Sequence, residues 1–192
     1  MKKRRFRFET TYFPCAGPSN TESTLALAVH HAQRTKTLNI VVASTTGKTA
    51  LKLSRLICGE MHPVCITHHS GFREPGSQEL SPSIEKKLNA LGVPVLRTTH
   101  LLAGIDRALR QEFGGIGPAE IVAHTYRTLG EGFKVAVEIA VMALDAGLIP
   151  YGKDIISIGG TGSGADTAIV IRPAHSHHFF DTKIKQIICK PV

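Results

Sequence analysis

One short segment of the sequence combines four hydroxyl side chains, a cation and a glycine. It follows the β-branched run LNIVVA and consists of Ser44, Thr45, Thr46, Gly47, Lys48 and Thr49. The glycine lets the backbone turn tightly, so that amide N–H groups converge at the start of the helix predicted next. Those N–H groups and the helix dipole favour an anion, and the lysine adds positive charge. The segment therefore predicts a phosphate-binding loop; a plain helix cap, which needs one hydroxyl, is the alternative.

Further small and polar residues follow other predicted strands. A glycine-rich segment comes after the strand DIISIG, and histidines come after PVCIT and VPVLR. Ligands of open parallel sheets bind outside the carboxyl ends of the strands, so these segments are candidates for the same site. Glycines permit a ligand to lie against the backbone, although a tight turn explains them equally simply. The candidates are Gly159, Gly160, Thr161, Gly162, Ser163, His68, His69, Thr99 and His100.

Two nucleotide-binding signatures come close to matching. The first loop ends in G-K-T, but a Walker A loop needs a glycine where this chain has Val42. Gly160, Gly162 and Ala165 fit G-x-G-x-x-A after a strand, but the β-branched TAIVIRPA that follows is unsuited to the required helix. The sequence therefore disfavours both ATP hydrolysis and a dinucleotide-binding unit.

The histidines also raise the hypothesis of a metal site. Imidazoles are frequent ligands of zinc and iron, and His68, His69 and His100 are expected near one another. A second cluster contains His175, His177 and His178. No spacing is diagnostic, so hydrogen bonding to a ligand, capping or proton transfer is favoured for the first cluster and no metal is expected.

Residues 131–146 predict a helix that is apolar nearly all round and therefore central. It carries Lys134 and Glu138 four positions apart. Buried charges are costly unless paired, so these two predict either a structural ion pair or contact with a cavity, a ligand or a subunit partner. Together with a closing strand near 185–189, this helix offers more apolar surface than one sheet readily covers, which predicts a homo-oligomer.

Strand and helix patterns alternate along the rest of the chain. This alternation predicts an α/β three-layer sandwich, in which a mostly parallel sheet has helices on both faces and an antiparallel edge near its C-terminal end. Ser19 and Glu22 have the spacing of a capping box at the first helix. Ser81 or Ser83 is predicted to cap the helix that contains EKKLNALG.

Composition favours one domain over residues 1–192, with 42% apolar and 20% charged residues. No apolar run approaches the ~20 residues that span a bilayer, no signal-peptide pattern follows the start, and the cysteines are scattered, so a cytoplasmic protein is expected. The net charge of +8 comes largely from a basic terminus, residues 1–8. Because no aromatic or helix-turn-helix pattern accompanies it, nucleic-acid binding is a minor hypothesis.

Several long motifs, in this order, resemble the stand-alone archaeal and bacterial proteins similar to the C-terminal domain of pyruvate kinase. Within residues 13–191 they are VVASTTGKTALKL, ITHHSGFREPG, THLLAGIDRAL, FGGIGPAEIVAHT, VAVEIAVMALDAGLIP and SIGGTGSGADTAIVIRPAHSHHFFDTKIKQIICKP. In pyruvate kinase the loop that looks like residues 44–50 holds a phosphate of the allosteric sugar bisphosphate. The barrel domain with the phosphoenolpyruvate and metal site has no counterpart in this sequence, so the resemblance does not imply pyruvate kinase activity.

The resemblance to the stand-alone family implies flavin mononucleotide (FMN) as the ligand. Its phosphate is then expected on residues 44–49, with the second glycine loop and the histidines meeting the ribityl chain and the ring. The first functional hypothesis is a ligand-binding or sensing domain. The alternative is a flavin-dependent oxidoreductase, in which the ring stays within reach of a substrate.

Overall fold

The computed structural model describes residues 8–192, so the basic residues 1–7, and with them the nucleic-acid hypothesis, lie outside the described part. The strands are β1 (Thr11–Phe13), β2 (Asn39–Ala43), β3 (His62–Thr67), β4 (Val95–Arg97), β5 (Ile155–Gly159), β6 (Thr167–Arg172) and β7 (Lys183–Pro191). The α-helices are α1 (Thr21–Thr35), α2 (Lys48–Leu56), α3 (Pro82–Ala90), α4 (Gly104–Phe113), α5 (Pro118–Arg127) and α6 (Glu131–Asp145).

The strands form one sheet in the order β1-β7-β6-β5-β2-β3-β4. β6 runs antiparallel to both of its neighbours, and the other paired strands are parallel. The predicted mostly parallel sheet is therefore confirmed. The predicted antiparallel edge is wrong, because β7 and the short β1 extend the sheet beyond β6 and place it in the interior.

Helices cover both faces of the sheet, which confirms the three-layer sandwich. Successive residues of β2 point to opposite faces, as the two-residue period of a strand requires. Ile40 and Val42 pack in a core with residues of α1, α2 and α3. Val41 packs on the other face with residues of α5 and α6. No residue of α4 is buried.

The predicted central position of α6 is confirmed, since twelve of its fifteen residues are buried. The helix lies unusually close to the sheet where two glycines meet. A Cβ atom added to Gly159 would lie 2.1 Å from the carbonyl oxygen of Gly132, and one added to Gly132 would lie 2.3 Å from Asp166 Oδ1. Beside this contact, Ser157 Oγ donates to the carbonyl oxygen of Ala136 at 2.6 Å. The glycines therefore set the distance between helix and sheet.

Serine caps only one of the two helices for which it was predicted. Ser81 is the N-cap of α3, and its Oγ accepts from the Ile84 amide at 3.4 Å. The prediction for α1 is wrong, because a 3-10 turn over Pro18–Asn20 contains Ser19 and the α-helix begins at Thr21. No helix within residues 8–192 is long and apolar enough to cross a membrane.

We expect Gly159→Ala to lower the free energy of unfolding by about 3 kcal/mol, because its methyl group would meet backbone atoms of α6 that can move only together. Gly162→Ala is the matched control. Its Cβ has open space, and only the φ of 72° is unfavourable, so about 1 kcal/mol is expected. Equal losses for the two variants in urea unfolding would contradict a close packing role for Gly159.

Candidate functional site

A cavity of about 680 Å³ opens at the carboxyl ends of β2, β3 and β5. The starts of α1, α2 and α6 form part of its wall, together with the loop after β3 and the glycine loop after β5. This is the edge of the sheet at which open α/β folds bind ligands. Its volume lies within the range of small-molecule pockets, roughly 300 to 1,000 Å³.

The cavity brings together two segments that lie far apart in the sequence. The predicted site residues that line it are Ser44, Thr45, Thr46, Lys48, Thr49, His68, Gly160, Gly162 and Ser163. The predicted residues that do not line it are Gly47, His69, Thr99, His100, Gly159 and Thr161. The predicted phosphate loop and the second glycine loop therefore share one cavity, whereas the predicted histidines contribute only one ring to its wall.

Part of the predicted phosphate loop serves the fold. The buried hydroxyl of Ser44 accepts from the amides of Thr49 at 3.1 Å and Ala50 at 3.2 Å, so it caps the first turn of α2. Gly47 has a φ of 81°, and a Cβ there would lie 2.4 Å from a side-chain carbon of Ile84 in α3. One hydroxyl of the loop is therefore a helix cap, as the alternative interpretation predicted, and phosphate binding by the loop stays a prediction.

The remaining donors of the loop are available to a ligand. Thr46 and Lys48 are exposed, and among the described residues no hydrogen bond or ion pair engages the hydroxyl of Thr46 or the ammonium of Lys48. Lys52, one helical turn further on, also lines the cavity and pairs with Glu22 at 2.5 Å. The start of α2 thus offers an unpaired cation and an unpaired hydroxyl where the helix dipole is positive.

The loop after β3 forms an aromatic and charged wall. Glu79 contacts two side chains of this wall, because its carboxylate lies 2.5 Å from His68 Nδ1 and 2.9 Å from Arg73 Nε. The ring of Phe72 lies over that of His68, with 3.9 Å between the centroids. With a proton on Nδ1 donated to Glu79, Nε2 of His68 accepts from the Thr45 hydroxyl at 3.4 Å.

His100 lies behind this wall, in a cluster of rings. Its centroid is 5.2 Å from that of His68, 5.6 Å from that of His69 and 5.3 Å from that of Phe72. Burial lowers the pKa of His100 to about 4, and the neighbouring histidines and Lys134 act in the same direction. Within residues 8–192 no group of three or more His, Cys, Asp or Glu side chains is arranged to hold a metal ion.

The second glycine loop is held by the start of α1. The buried carboxylate of Asp166 accepts from the Gly17 amide at 3.0 Å, and Thr21 Oγ1 accepts from the Ala165 amide at 3.1 Å. A Cβ on Gly160 would meet the protein's own backbone at 2.4 Å, whereas one on Gly162 would meet nothing within 4 Å. Gly162 is therefore the position at which this loop leaves room beside its backbone.

The other charged candidates lie outside this cavity. Lys134 and Glu138 form a buried ion pair, and Glu138 Oε1 also accepts from the Leu102 amide at 2.7 Å. His175 Nδ1 lies 2.9 Å from an oxygen of Asp145. The candidates from these two groups that line no part of the cavity are Lys134, Glu138, His175, His177 and His178.

Several residues of the cavity wall are not among the predicted site residues. Lys52 stands four positions after Lys48, and this spacing puts both on one helical face, so it could have been found. Phe72 is a lone aromatic side chain in a loop of glycine, proline and charge, which is a weaker signal. Thr21 and Glu131 come from the starts of helices distant in sequence, and no local pattern relates them to the loop.

Comparison with known proteins identifies similarity at the level of the domain. The family model described as "Pyruvate kinase, alpha/beta domain" matches residues 22–171. A pyruvate kinase from Cryptosporidium parvum is 14% identical, with a TM-score of 0.42 over 78% of this chain and 22% of that one. The enzyme of the same organism in complex with ADP is 15% identical, with a TM-score of 0.38 over 86% of this chain and 23% of that one. The chain thus spans about a fifth of these pyruvate kinases, and similarity this low carries no activity across.

The low pKa of His100 predicts a loss of stability in acid. The folded state binds fewer protons at this ring than the unfolded chain between pH 6.5 and about 4, so stability falls as the pH drops through that window. Between pH 7 and pH 4.5 we expect His100 to account for about 2 to 3 kcal/mol of the loss. Urea unfolding of wild type and His100→Gln at both pH values measures this. An equal pH dependence of the two proteins would show that His100 titrates normally.

Proposed function

This chain belongs to the pyruvate kinase α/β-domain family, and we propose that it binds a phosphorylated small molecule, FMN, as a ligand-binding or sensing domain without pyruvate kinase activity. The observation that carries the proposal is the unpaired pair of donors, Thr46 and Lys48, at the start of α2 in a cavity of about 680 Å³. An anion at this position would complete the hydrogen bonding of both side chains.

The phosphate would bind through the unpaired side chains of the loop and through loop amides that lack an acceptor in the described chain. Ser44 already occupies the amides of Thr49 and Ala50, so those N–H groups are not free for a ligand. The ammonium of Lys48 and the hydroxyl of Thr46 remain, and the dipole of α2 adds to their attraction for a dianion. Charge-assisted hydrogen bonds of this kind are stronger than neutral ones, so Lys48 should contribute most.

The rest of the ligand has two surfaces to contact. The rings of Phe72 and His68 supply an aromatic wall suited to a flat heteroaromatic ring, and Gly162 leaves open space on the opposite loop. Bound flavin would supply redox chemistry, which belongs to the cofactor. The chain's own groups would orient the ligand, and Glu79 would hold the proton of His68 at Nδ1.

Three other hypotheses stay predictions. A flavin-dependent oxidoreductase would need turnover of a reduced nicotinamide or a similar donor. A nucleic-acid partner would act through residues 1–7, and its binding would fall steeply with salt. The cytoplasmic location stays an expectation from the amino-acid sequence.

We expect Lys48→Ala to weaken FMN binding by about tenfold or more, because one charge-assisted hydrogen bond is lost. Thr46→Val keeps the shape but removes a neutral hydrogen bond, so about three- to tenfold is expected. Riboflavin lacks the phosphate. Its affinity for the wild type should therefore be no higher than the affinity of Lys48→Ala for FMN. Quenching of flavin fluorescence at fixed salt measures all three.

Lys87→Ala is the matched control, since Lys87 is exposed on α3 and lines no part of the cavity. Gly47→Val is unsuitable, because its side chain would displace Ile84 and disturb the packing of α3. If FMN and riboflavin bind alike to wild type and Lys48→Ala, the phosphate site is wrong. If no flavin binds while sugar phosphates do, the site holds and the ligand is another phosphorylated molecule.

We also propose that the chain self-associates, with a second copy covering α4. The apolar surfaces of α6 and β7, from which this was predicted, are largely covered within the chain, since α6 is buried and Ile188 and Cys189 are 5% and 0% exposed. In contrast, Ile105, Leu109 and Phe113 of α4 are 72%, 49% and 79% exposed. Their four-residue spacing forms one stripe that is self-complementary about Leu109 in an antiparallel helix pair.

Phe113→Glu is expected to convert the associated protein into a monomer, because the charge would be buried against Ile105 of the partner copy. Phe180→Glu is the control. Phe180 is also exposed, but it belongs to the 3-10 helix over Ser176–Asp181 and not to α4. Light scattering at micromolar concentration measures the mass. A monomeric wild type, or association unaffected by Phe113→Glu, would contradict this interface.

A further inference from the structure

A second, smaller cavity of about 180 Å³ lies among α4, α5 and α6 and shares no lining residue with the first. Arginine and lysine dominate its wall. The charged or titratable side chains that line it are Arg107, Arg110, Arg127, Lys134, His124 and Glu120. Four basic side chains thus face a small space with one carboxylate among them.

The local acids do not neutralise all of this charge. Arg110 pairs with Glu120 at 3.0 Å, and Arg127 pairs with Glu131 at 2.5 Å. The guanidinium of Arg107 has no hydrogen bond or ion pair in the part of the chain that the structure describes, and its carbon lies 5.5 Å from the ring centroid of Phe72. A guanidinium has five N–H donors, so Arg107 keeps its full capacity for an oxyanion.

Lys134 adds buried donors to the same cavity. Its side chain is 8% exposed, and its ammonium is paired with Glu138. No other acceptor contacts the ammonium within residues 8–192, although an ammonium carries three N–H donors. Buried donors without acceptors are costly, and an oxyanion in this cavity would supply acceptors for them.

We propose that this cavity is a binding site for a phosphate-type oxyanion. Its volume corresponds to about six water molecules at ~30 Å³ each, which suits one phosphoryl group with some hydration and excludes a flavin. Phosphate is favoured over a carboxylate, because its oxygens point in several directions and can accept from guanidinium forks and an ammonium together.

Arg107 also connects this site with the first cavity. Its guanidinium lies over Phe72, and Phe72 lines the first cavity and packs on His68. An oxyanion that draws the guanidinium into the second cavity weakens its contact with the ring. Phosphate binding should therefore also shift the ring resonances of Phe72.

The test is an NMR titration of isotope-labelled Lys48→Ala protein with inorganic phosphate, at constant ionic strength set with sodium chloride. Removing Lys48 takes away the unpaired cation of the first cavity. Saturable shifts are expected at the Nε–Hε groups of Arg107 and Arg127 and at the amides of Leu102 and Ala103. These resonances report on residues that line the second cavity and not the first, so the result does not depend on whether FMN binds. Shifts that are absent, or that grow linearly with phosphate, would overturn the proposal.

Arg107→Gln in the same background should weaken phosphate binding by about tenfold or more, since a charge-assisted contact is lost. Arg55→Gln removes the same charge from an exposed position that lines neither cavity, and binding should be unchanged. If both variants weaken phosphate binding equally, the loss comes from the lower net charge of the protein, and the site is refuted. The oxyanion could be the free phosphate ion or the phosphoryl group of a small molecule, and methyl phosphate distinguishes the two. If methyl phosphate binds more tightly than inorganic phosphate, the ligand is a phosphorylated small molecule. If it binds more weakly, the ligand is the free ion.

Discussion

The contact between Gly132 and Gly159 fixes how closely the central helix approaches the sheet, and both cavities depend on that distance. A single methyl group at either glycine would collide with backbone or carboxylate atoms at 2.1 to 2.3 Å. Because α6 lies close to the sheet, residues of its first turns line both cavities. Glu131 and Val135 line the larger one, and Lys134 lines the smaller one. A shift of the helix would therefore alter both sites together.

The loop between β2 and α2 contains residues that serve the fold and residues whose polar groups have no partner in the described chain. Ser44 caps the helix, and Gly47 makes room for α3, so both positions serve the fold. Thr46 and Lys48 lie between and beside them without partners in the described chain. A segment that the sequence presents as one motif thus contains positions with a structural role and positions with unpaired polar groups. Mutation tests the proposed binding only at the latter.

Residue patterns in the sequence predicted the features that depend on neighbouring residues in the chain. The β-branched run of β2, the turn at Gly47, the cap at Ser81 and the apolar α6 follow from residue spacing and backbone preference, and the structure contains all four. The interior position of β6 was not predictable, since a strand's period does not encode the direction of its neighbours. Nor was the convergence of Arg107 and Lys134, whose helices meet only through tertiary packing.

The first strand of the sheet has its partner at the far end of the described chain. β1 pairs with β7, and Thr10 Oγ1 donates to the carbonyl oxygen of Ile187, 177 positions away. At about 5 to 20 residues per second, a ribosome takes roughly 10 to 35 s to synthesise the intervening chain. During that time the segment of β1 has no strand to pair with, while β2 and β3 can already form a parallel pair. The closing edge of the sheet is thus the last part of this fold that translation allows to assemble.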